Sequence, residues 1–332
     1  MNLTDAHRQG LLCLRSLARR RTDATVAAIT ETARRTTGSH VADWGAVLGE
    51  LQASGFVAIA GEVYSLTAEG ALTAEDLHRK APLWAYLYRE VHTRAPESTA
   101  YGELCERVFG RNLCQQGQAD MEQLDALVNT LEIEPHHRVL DLGCGNGLIT
   151  AYIAHRTGGH VTGIDLSPDG IVYAKQHVKT EKGKATFEVA NVNDLPYAGS
   201  SFDRIVSIDT LHFVADLQQT LVRLAGIITP QGRMGVFWET WIRPEKQSRD
   251  LLKPSGTRLG RALSALEWSY ETIDFSAQND ALWARMKAAL GELEPAFRAE
   301  KNEVLFESVL SQTRRTEWGI GSRYLYSFRP VE

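Results

Sequence analysis

The stretch Val139-Leu140-Asp141-Leu142-Gly143-Cys144-Gly145-Asn146-Gly147 decides the fold, because a short, mostly apolar strand runs straight into a glycine-rich turn. A helical pattern, Leu148–Thr157, follows at once. Glycines carry no Cβ and let a ligand approach the backbone, and the start of the helix presents unpaired N–H groups. Two cofactor classes use such a turn. A dinucleotide fingerprint needs G-x-G-x-x-G, whose third glycine would fall on Leu148, whereas the spacing here is G-x-G-x-G.

Working outward, Asp165 closes a second apolar run, His160–Asp165, where its carboxylate can accept from both hydroxyls of a ribose. Further strands are read at 186–190, 204–208, 233–238, 270–275 and 323–328, with helical patterns between the earlier ones. Short strands alternating with helices make an α/β sheet with crossover helices. From 280 to about 315 a helical stretch stands where a tight turn would suffice, and it reads as a lid over the active site. The expectation is a Rossmann-like, seven-stranded, mostly parallel sheet over 132–332, with a helical insertion at about 276–322.

Ahead of it, residues 1–80 read as three amphipathic helices and two alternating runs around Gly61-Glu62, a winged-helix-like domain. Its third helical stretch, 40–55, holds no Lys or Arg, and residues 1–80 balance nine basic against nine acidic side chains. Phosphate binding needs clustered cations, so a dimerisation or lid module is expected rather than a DNA reader. Residues 81–131 read as a helical linker and active-site cover, rich in aromatics, with Tyr101 as a substrate-pocket residue.

The composition agrees with a two-domain chain that acts on a small partner. The length is 332 residues, and 36 Lys+Arg against 41 Asp+Glu give a net charge of −5, no field for nucleic acid or anionic membrane. Cys13, Cys105, Cys114 and Cys144 form no C-x-x-C pair, which argues against structural zinc and a disulfide framework. His136-His137 precedes the first sheet strand on the edge away from the glycine turn, so no metal is expected. The N-terminus lacks a secretory apolar region and no apolar run approaches the ~20 residues that span a bilayer, so a soluble, cytoplasmic protein is expected.

The glycine turn and Asp165, together with Ala190-Asn-Val-Asn-Asp-Leu-Pro196 and Ser201-Phe-Asp-Arg-Ile-Val-Ser207, resemble the class I methyltransferases that use S-adenosylmethionine (SAM), in the branch that modifies small molecules. The resemblance covers about residues 116–329. It implies SAM as cofactor, with the turn Gly143, Cys144, Gly145, Asn146, Gly147 and Asp141 against the methionine moiety and Asp165 on the ribose. Leu166 would flank the adenine, Asn191 would accept from the adenine amine, and Val192 would offer its N–H to the ring. Asp209 matches the position whose carbonyl meets the cofactor's amino group. The N-terminal domain resembles dimerisation domains of some natural-product O-methyltransferases, which implies a homodimer.

Ligands of an open parallel sheet react beyond its carboxyl edge, which nominates side chains at the ends of the fourth and fifth sheet strands. His212 and Glu239 are the candidate bases, and Trp238 and Trp241 the candidate substrate walls. The acceptor is expected to be a small specialised metabolite or peptide-derived product, methylated on O, N or C. The alternative is a winged-helix regulator that senses SAM, which the bare third helix disfavours. Arg314, Arg315 and Arg323 read as surface residues.

Overall fold

Thr4 opens the first helix by accepting the His7 N–H on its hydroxyl at 3.3 Å, satisfying a donor that has no partner inside the helix. The computed structural model describes residues 2–37, 41–180, 184–317 and 319–330, and it divides into two units, Met1–Val91 and His92–Glu332. In the first unit, α1 (Asp5–Arg19), α2 (Val26–Thr37) and α3 (Trp44–Ala53) are followed by an antiparallel hairpin, β1 (Val57–Ala60) and β2 (Val63–Leu66), and by α4 (Ala68–Lys80). Leu11, Leu14 and Leu17 lie three residues apart on one face of α1 and pack with Ile29, Trp44, Leu48 and Leu51. Arg15 holds Glu75 of α4 through two hydrogen bonds, 2.8 and 2.9 Å. The unit runs past the expected boundary at residue 80 because Leu83, at the start of α5 (Leu83–Arg94), packs on this same core.

The second unit takes in the end of α5 and then α6 (Thr99–Phe109), α7 (Met121–Thr130), β3 (Arg138–Leu142), α8 (Leu148–Thr157), β4 (His160–Asp165), α9 (Pro168–His177), β5 (Ala185–Val189), β6 (Phe202–Ile208), α10 (Leu217–Ile227) and β7 (Ile228–Ile242). It ends with α11 (Arg258–Ala265), β8 (Tyr270–Asp274), α12 (Ser276–Ala299), α13 (Glu303–Thr313) and β9 (Ile320–Phe328). The seven-stranded sheet has the order β5-β4-β3-β6-β7-β9-β8. β5 through β7 run parallel, while β9 is antiparallel to both its neighbours. This is the Rossmann-like α/β fold expected.

Both faces of the sheet are covered, so neighbouring residues of one strand enter different cores. Leu140, Ile205, Trp238 and Tyr326 pack with α10 and α11, whereas Val139, Val206, Phe237 and Leu325 pack with α7 and α8. β7 is longer than the 233–238 read from sequence. β6 pairs with it only as far as Ile208↔Phe237, and residues 238–242 continue paired to β9. An antiparallel ribbon thus rises beyond the carboxyl edge of the parallel strands, at the end where ligands of such sheets bind. Residues 92–131 are part of this unit rather than a separate linker. α6 lies on α12, joined by Arg107–Glu292 at 2.7 Å and Ser98–Glu300 at 2.5 Å, and α7 lies in the core beneath the sheet.

Candidate active site

The turn after β3 demands glycine at three positions, since Gly143, Gly145 and Gly147 have φ of +76°, +56° and +80°. Space also excludes a side chain at two of them. A Cβ on Gly143 would lie 2.1 Å from Thr210 Oγ1, and one on Gly147 2.5 Å from the Phe187 ring. The turn is stitched to β4, with Gly143 and Cys144 N–H both donating to the Ile164 carbonyl at 2.8 and 2.9 Å. Asp165 completes the stitch by accepting from Gly145 N at 2.9 Å and Ser167 N at 2.7 Å. A carboxylate offers about four lone-pair sites, so two remain for a ribose diol.

Behind the turn, Asp141 is buried and accepts the Thr150 hydroxyl at 2.6 Å. Burial pushes its carboxyl up to about 6, against the Thr150 hydrogen bond and with a contribution from the Asp165 charge. Asn146 Nδ2 is buried with no nitrogen or oxygen acceptor and the Cys114 sulfur beside it. His92, which the sequence did not mark, fills the space over the turn. A Cβ on Gly145 would meet its Nε2 at 3.1 Å, and one on Gly170 its Nδ1 at 2.9 Å. Burial pushes the His92 imidazole below the ordinary histidine range, opposed by the charges of Asp165 and Asp169.

Beyond β6, Asp209 takes φ +56° and turns the chain so that Thr210 fills the hollow left by Gly143. The Asp209 carboxylate accepts from Arg323 at 2.7 and 3.0 Å and from Gln118 N at 2.8 Å. Arg323 was read as a surface residue. It is fully buried, donates to Gln123 Oε1 at 2.6 Å and lies 4.9 Å from the Phe237 ring centre. Burial raises the Asp209 carboxyl, but the Arg323 charge prevails and holds it below the usual carboxylate range. A charge at the start of the run Tyr324-Leu325-Tyr326, in a strand covered on both faces, was the available signal.

The turn after β6 meets the end of β7 at the strand ends. His212 sits in a short 3-10 turn, Leu211–Phe213, with its ring 4.0 Å from that of Trp238 and its Nε2 accepting the Glu239 N–H at 3.4 Å. Accepting at Nε2 places the neutral proton on Nδ1. Burial pushes His212 below the ordinary histidine range, while the charges of Asp209 and Glu239 oppose this.

Residues 139–232 match a family model described as a methyltransferase domain. The methyltransferase GfsG of Streptomyces halstedii is 33% identical over 126 residues, 37% of this chain and 44% of that protein. A phosphoethanolamine N-methyltransferase of Triticum aestivum is 38% identical over 116 residues, 35% of this chain and 23% of that protein. This chain therefore spans less than half the length of these relatives. The fold is shared with Haemonchus contortus phosphoethanolamine N-methyltransferase 2 in complex with SAM, at a TM-score of 0.58 and 14% identity over 81% of this chain and 63% of that one.

The chain carries a class I SAM-dependent methyltransferase domain. SAM is the cofactor of that domain, and the cradle fits it, with a positive-φ glycine turn, a buried Asn146 donor and unspent lone pairs on Asp165.

Several expected roles change once this methyltransferase domain is seen in three dimensions. Asn191 Oδ1 already accepts from both the N–H and the Nδ2 of Asn193, at 2.9 and 3.1 Å, so it has no lone pair left for the adenine amine. Leu166 is half-buried, and Val192 packs its side chain against the core around β6. Tyr101 is 4% exposed and donates its hydroxyl to the Gln115 carbonyl at 2.7 Å, which makes it a brace for the 111–118 segment rather than a pocket wall. Glu239 is not a rim residue. Its Oε1 accepts from Asn279 Nδ2 at 2.7 Å and Trp283 Nε1 at 3.0 Å, and Oε2 faces Arg315 at 3.5 Å. Both of its oxygens are thus turned toward donors on α12 and in the 314–317 turn. Trp238 belongs to the core, and Trp241 meets Trp283 edge to face at 6.2 Å. His136 and His137 lie with Glu134 at the amino end of β3, and His137 Nδ1 accepts the Glu134 N–H at 2.9 Å.

Proposed function

We propose that this chain transfers the methyl group of SAM to a small-molecule acceptor lying over the carboxyl edge of the sheet, beside the β7–β9 ribbon. The observation that carries this reading is the positive-φ glycine turn sewn to Asp165, in the segment that matches a methyltransferase domain. When bound, SAM supplies a sulfonium-activated methyl group that needs only an aligned lone pair on the acceptor.

The chain's own residues then divide the work. Asp165 accepts the ribose hydroxyls, the N–H groups at the start of α8 and Asn146 Nδ2 face the methionine end, Leu166 flanks the base, and Val192 offers it the backbone N–H. Asp209, held by Arg323, fixes the turn whose backbone meets the amino group. His212 is the candidate base for a hydroxyl or amine acceptor through Nε2, the one ring nitrogen with a lone pair, which is freed for this when its long 3.4 Å hydrogen bond from the Glu239 N–H opens. The reading of the first unit as a winged-helix-like module for dimerisation or lid action rests on its order of three helices and a hairpin.

The test is transfer of label from methyl-labelled SAM to a panel of small phenols, amines and carbon acids. Labelled product from at least one is expected, with S-adenosylhomocysteine (SAH) released and His212→Asn slower by about 10²-fold or more. If no acceptor is labelled and no SAH is released, the reading is wrong.

A further inference from the structure

The stretch from Arg243 to Arg261 carries six basic side chains, Arg243, Lys246, Arg249, Lys253, Arg258 and Arg261, against only Glu245 and Asp250, in a chain whose net charge is −5. Residues 243–250 are all exposed. This is the opposite sign to the molecule as a whole, and it is concentrated beside the β7 ribbon. The stretch leaves the end of β7, crosses two short 3-10 turns, Arg249–Leu252 and Pro254–Gly256, and returns through α11 against the core. Between it and residues 238–242 lies a cleft of about 260 Å³ lined by Thr240, Ile242, Gln247, Leu251, Arg258 and Arg261, among others.

The groups that border the cleft differ in how fully their charges are used. Lys253 pairs with Asp250 at 2.7 Å, and Arg258 gives its NH2 group to the carbonyls of Val214 and Ala215 at 2.7 and 2.9 Å. Arg261 donates NH1 to the Gly256 carbonyl. A guanidinium has five N–H donors, so both arginines keep donors to spend. Lys246 and Arg249 make no ion pair among the described residues. Glu239 also borders the cleft, but its carboxylate is turned to Asn279, Trp283 and Arg315 on the α12 side, so it does not cancel the field. Arg258 also ties the cleft to the reactive turn, because the carbonyls it holds directly follow Phe213.

We infer that this cleft binds the acceptor by an anionic group, a carboxylate or phosphate on a small, compact molecule. The inference rests on the methyltransferase reading, and it names the acceptor's class. The volume lies at the low end for small-molecule sites, which limits the acceptor to a few rings or a short chain. The exposed cations at the rim add attraction that salt screens, while Arg258 and Arg261 supply the fixed donors.

The test is calorimetry on the intact chain at low salt with four probes of one shape: 1-naphthoate, 1-naphthyl phosphate, neutral 1-naphthamide and cationic 1-naphthylmethylamine. The two anions are expected to bind about tenfold or more tighter than the amide, with the tighter of the two telling carboxylate from phosphate. Raising the salt should shrink the gap, and Lys246→Gln/Arg249→Gln should shrink it by about threefold or more while leaving SAH binding unchanged. Equal binding of anion and amide, tighter binding of the amine, or no binding of any probe overturns the inference. SAH is titrated alongside. SAH binding without anion preference defeats this inference alone, whereas no SAH binding defeats the methyltransferase reading beneath it.

Discussion

The two halves of the sheet are built by different means. On the cofactor side, the side-chain hydrogen bonds of Asp141 and Asp165 are local or nearly so, since Asp141 meets Thr150 nine residues on and Gly145 meets Asp165 twenty residues on, and only the packing of His92 and Thr210 reaches farther. On the ribbon side every decisive contact spans a long stretch of chain. Glu239 meets Asn279, Trp283 and Arg315 across 40, 44 and 76 residues, and Arg323 meets Asp209 across 114. A cofactor shared by many enzymes can be met by a short backbone turn, while a particular acceptor needs side chains gathered from several elements.

The sharpest way to break this comparison is to cut the ion pair between Arg323 of the ribbon and Asp209 after β6. Arg323→Met leaves Asp209 as a buried anion without its partner, and a loss of about 3–5 kcal/mol in stability is expected from chemical denaturation. A loss below 1 kcal/mol would mean the pair is idle and the halves stand independently.

A smaller effect belongs to the cofactor side alone. Burial pushes the Asp141 carboxyl up to about 6, from an ordinary value of about 4 in the unfolded chain, so the folded state holds its proton more tightly than the unfolded one. Its contribution to stability is therefore present below about pH 4 and lost as pH rises through 6, about 2–3 kcal/mol in all. Asp141→Asn should remove that slope, so that in the absence of SAM the variant gains on the wild type between pH 4 and 7. Parallel pH profiles of thermal stability for the two would show the charge to be compensated by something else.

The smallest expected effect concerns Tyr101. Tyr101→Phe removes one buried hydrogen bond to the Gln115 carbonyl, at a cost of about 1 kcal/mol in melting experiments, with no change in acceptor KM. A raised KM at unchanged stability would return Tyr101 to the substrate pocket.

The same contrast explains what could be read from the chain. The glycine turn was legible because L side chains rarely adopt its φ values, so backbone geometry dictates the residues. The succession of strands along the chain and the long helices before β9 followed from the alternation of apolar patterns. His92 was invisible because nothing local distinguishes a helix histidine that caps a distant turn. Asn191 was misjudged because its acceptor is taken by the side chain and backbone of Asn193 two residues on, an Asx-type turn that pattern matching overlooks. Arg323 carried a signal, a charge at the start of the run Tyr324-Leu325-Tyr326, but its partner lay beyond the reach of periodicity. The length of β7 was underestimated because Glu239 and Thr240 interrupt its apolar run, although they are held by α12 and by β9.

The central claim, that the turn from Gly143 to Gly147 together with Asp165 forms a SAM cradle, is tested most directly by calorimetric titration of the intact chain with SAH, beside Asp165→Ala checked for folding by circular dichroism. Saturable one-to-one binding by the wild type, weakened by about tenfold or more in the folded variant, is the predicted result. No binding by the wild type, or equal affinity in both, would contradict it.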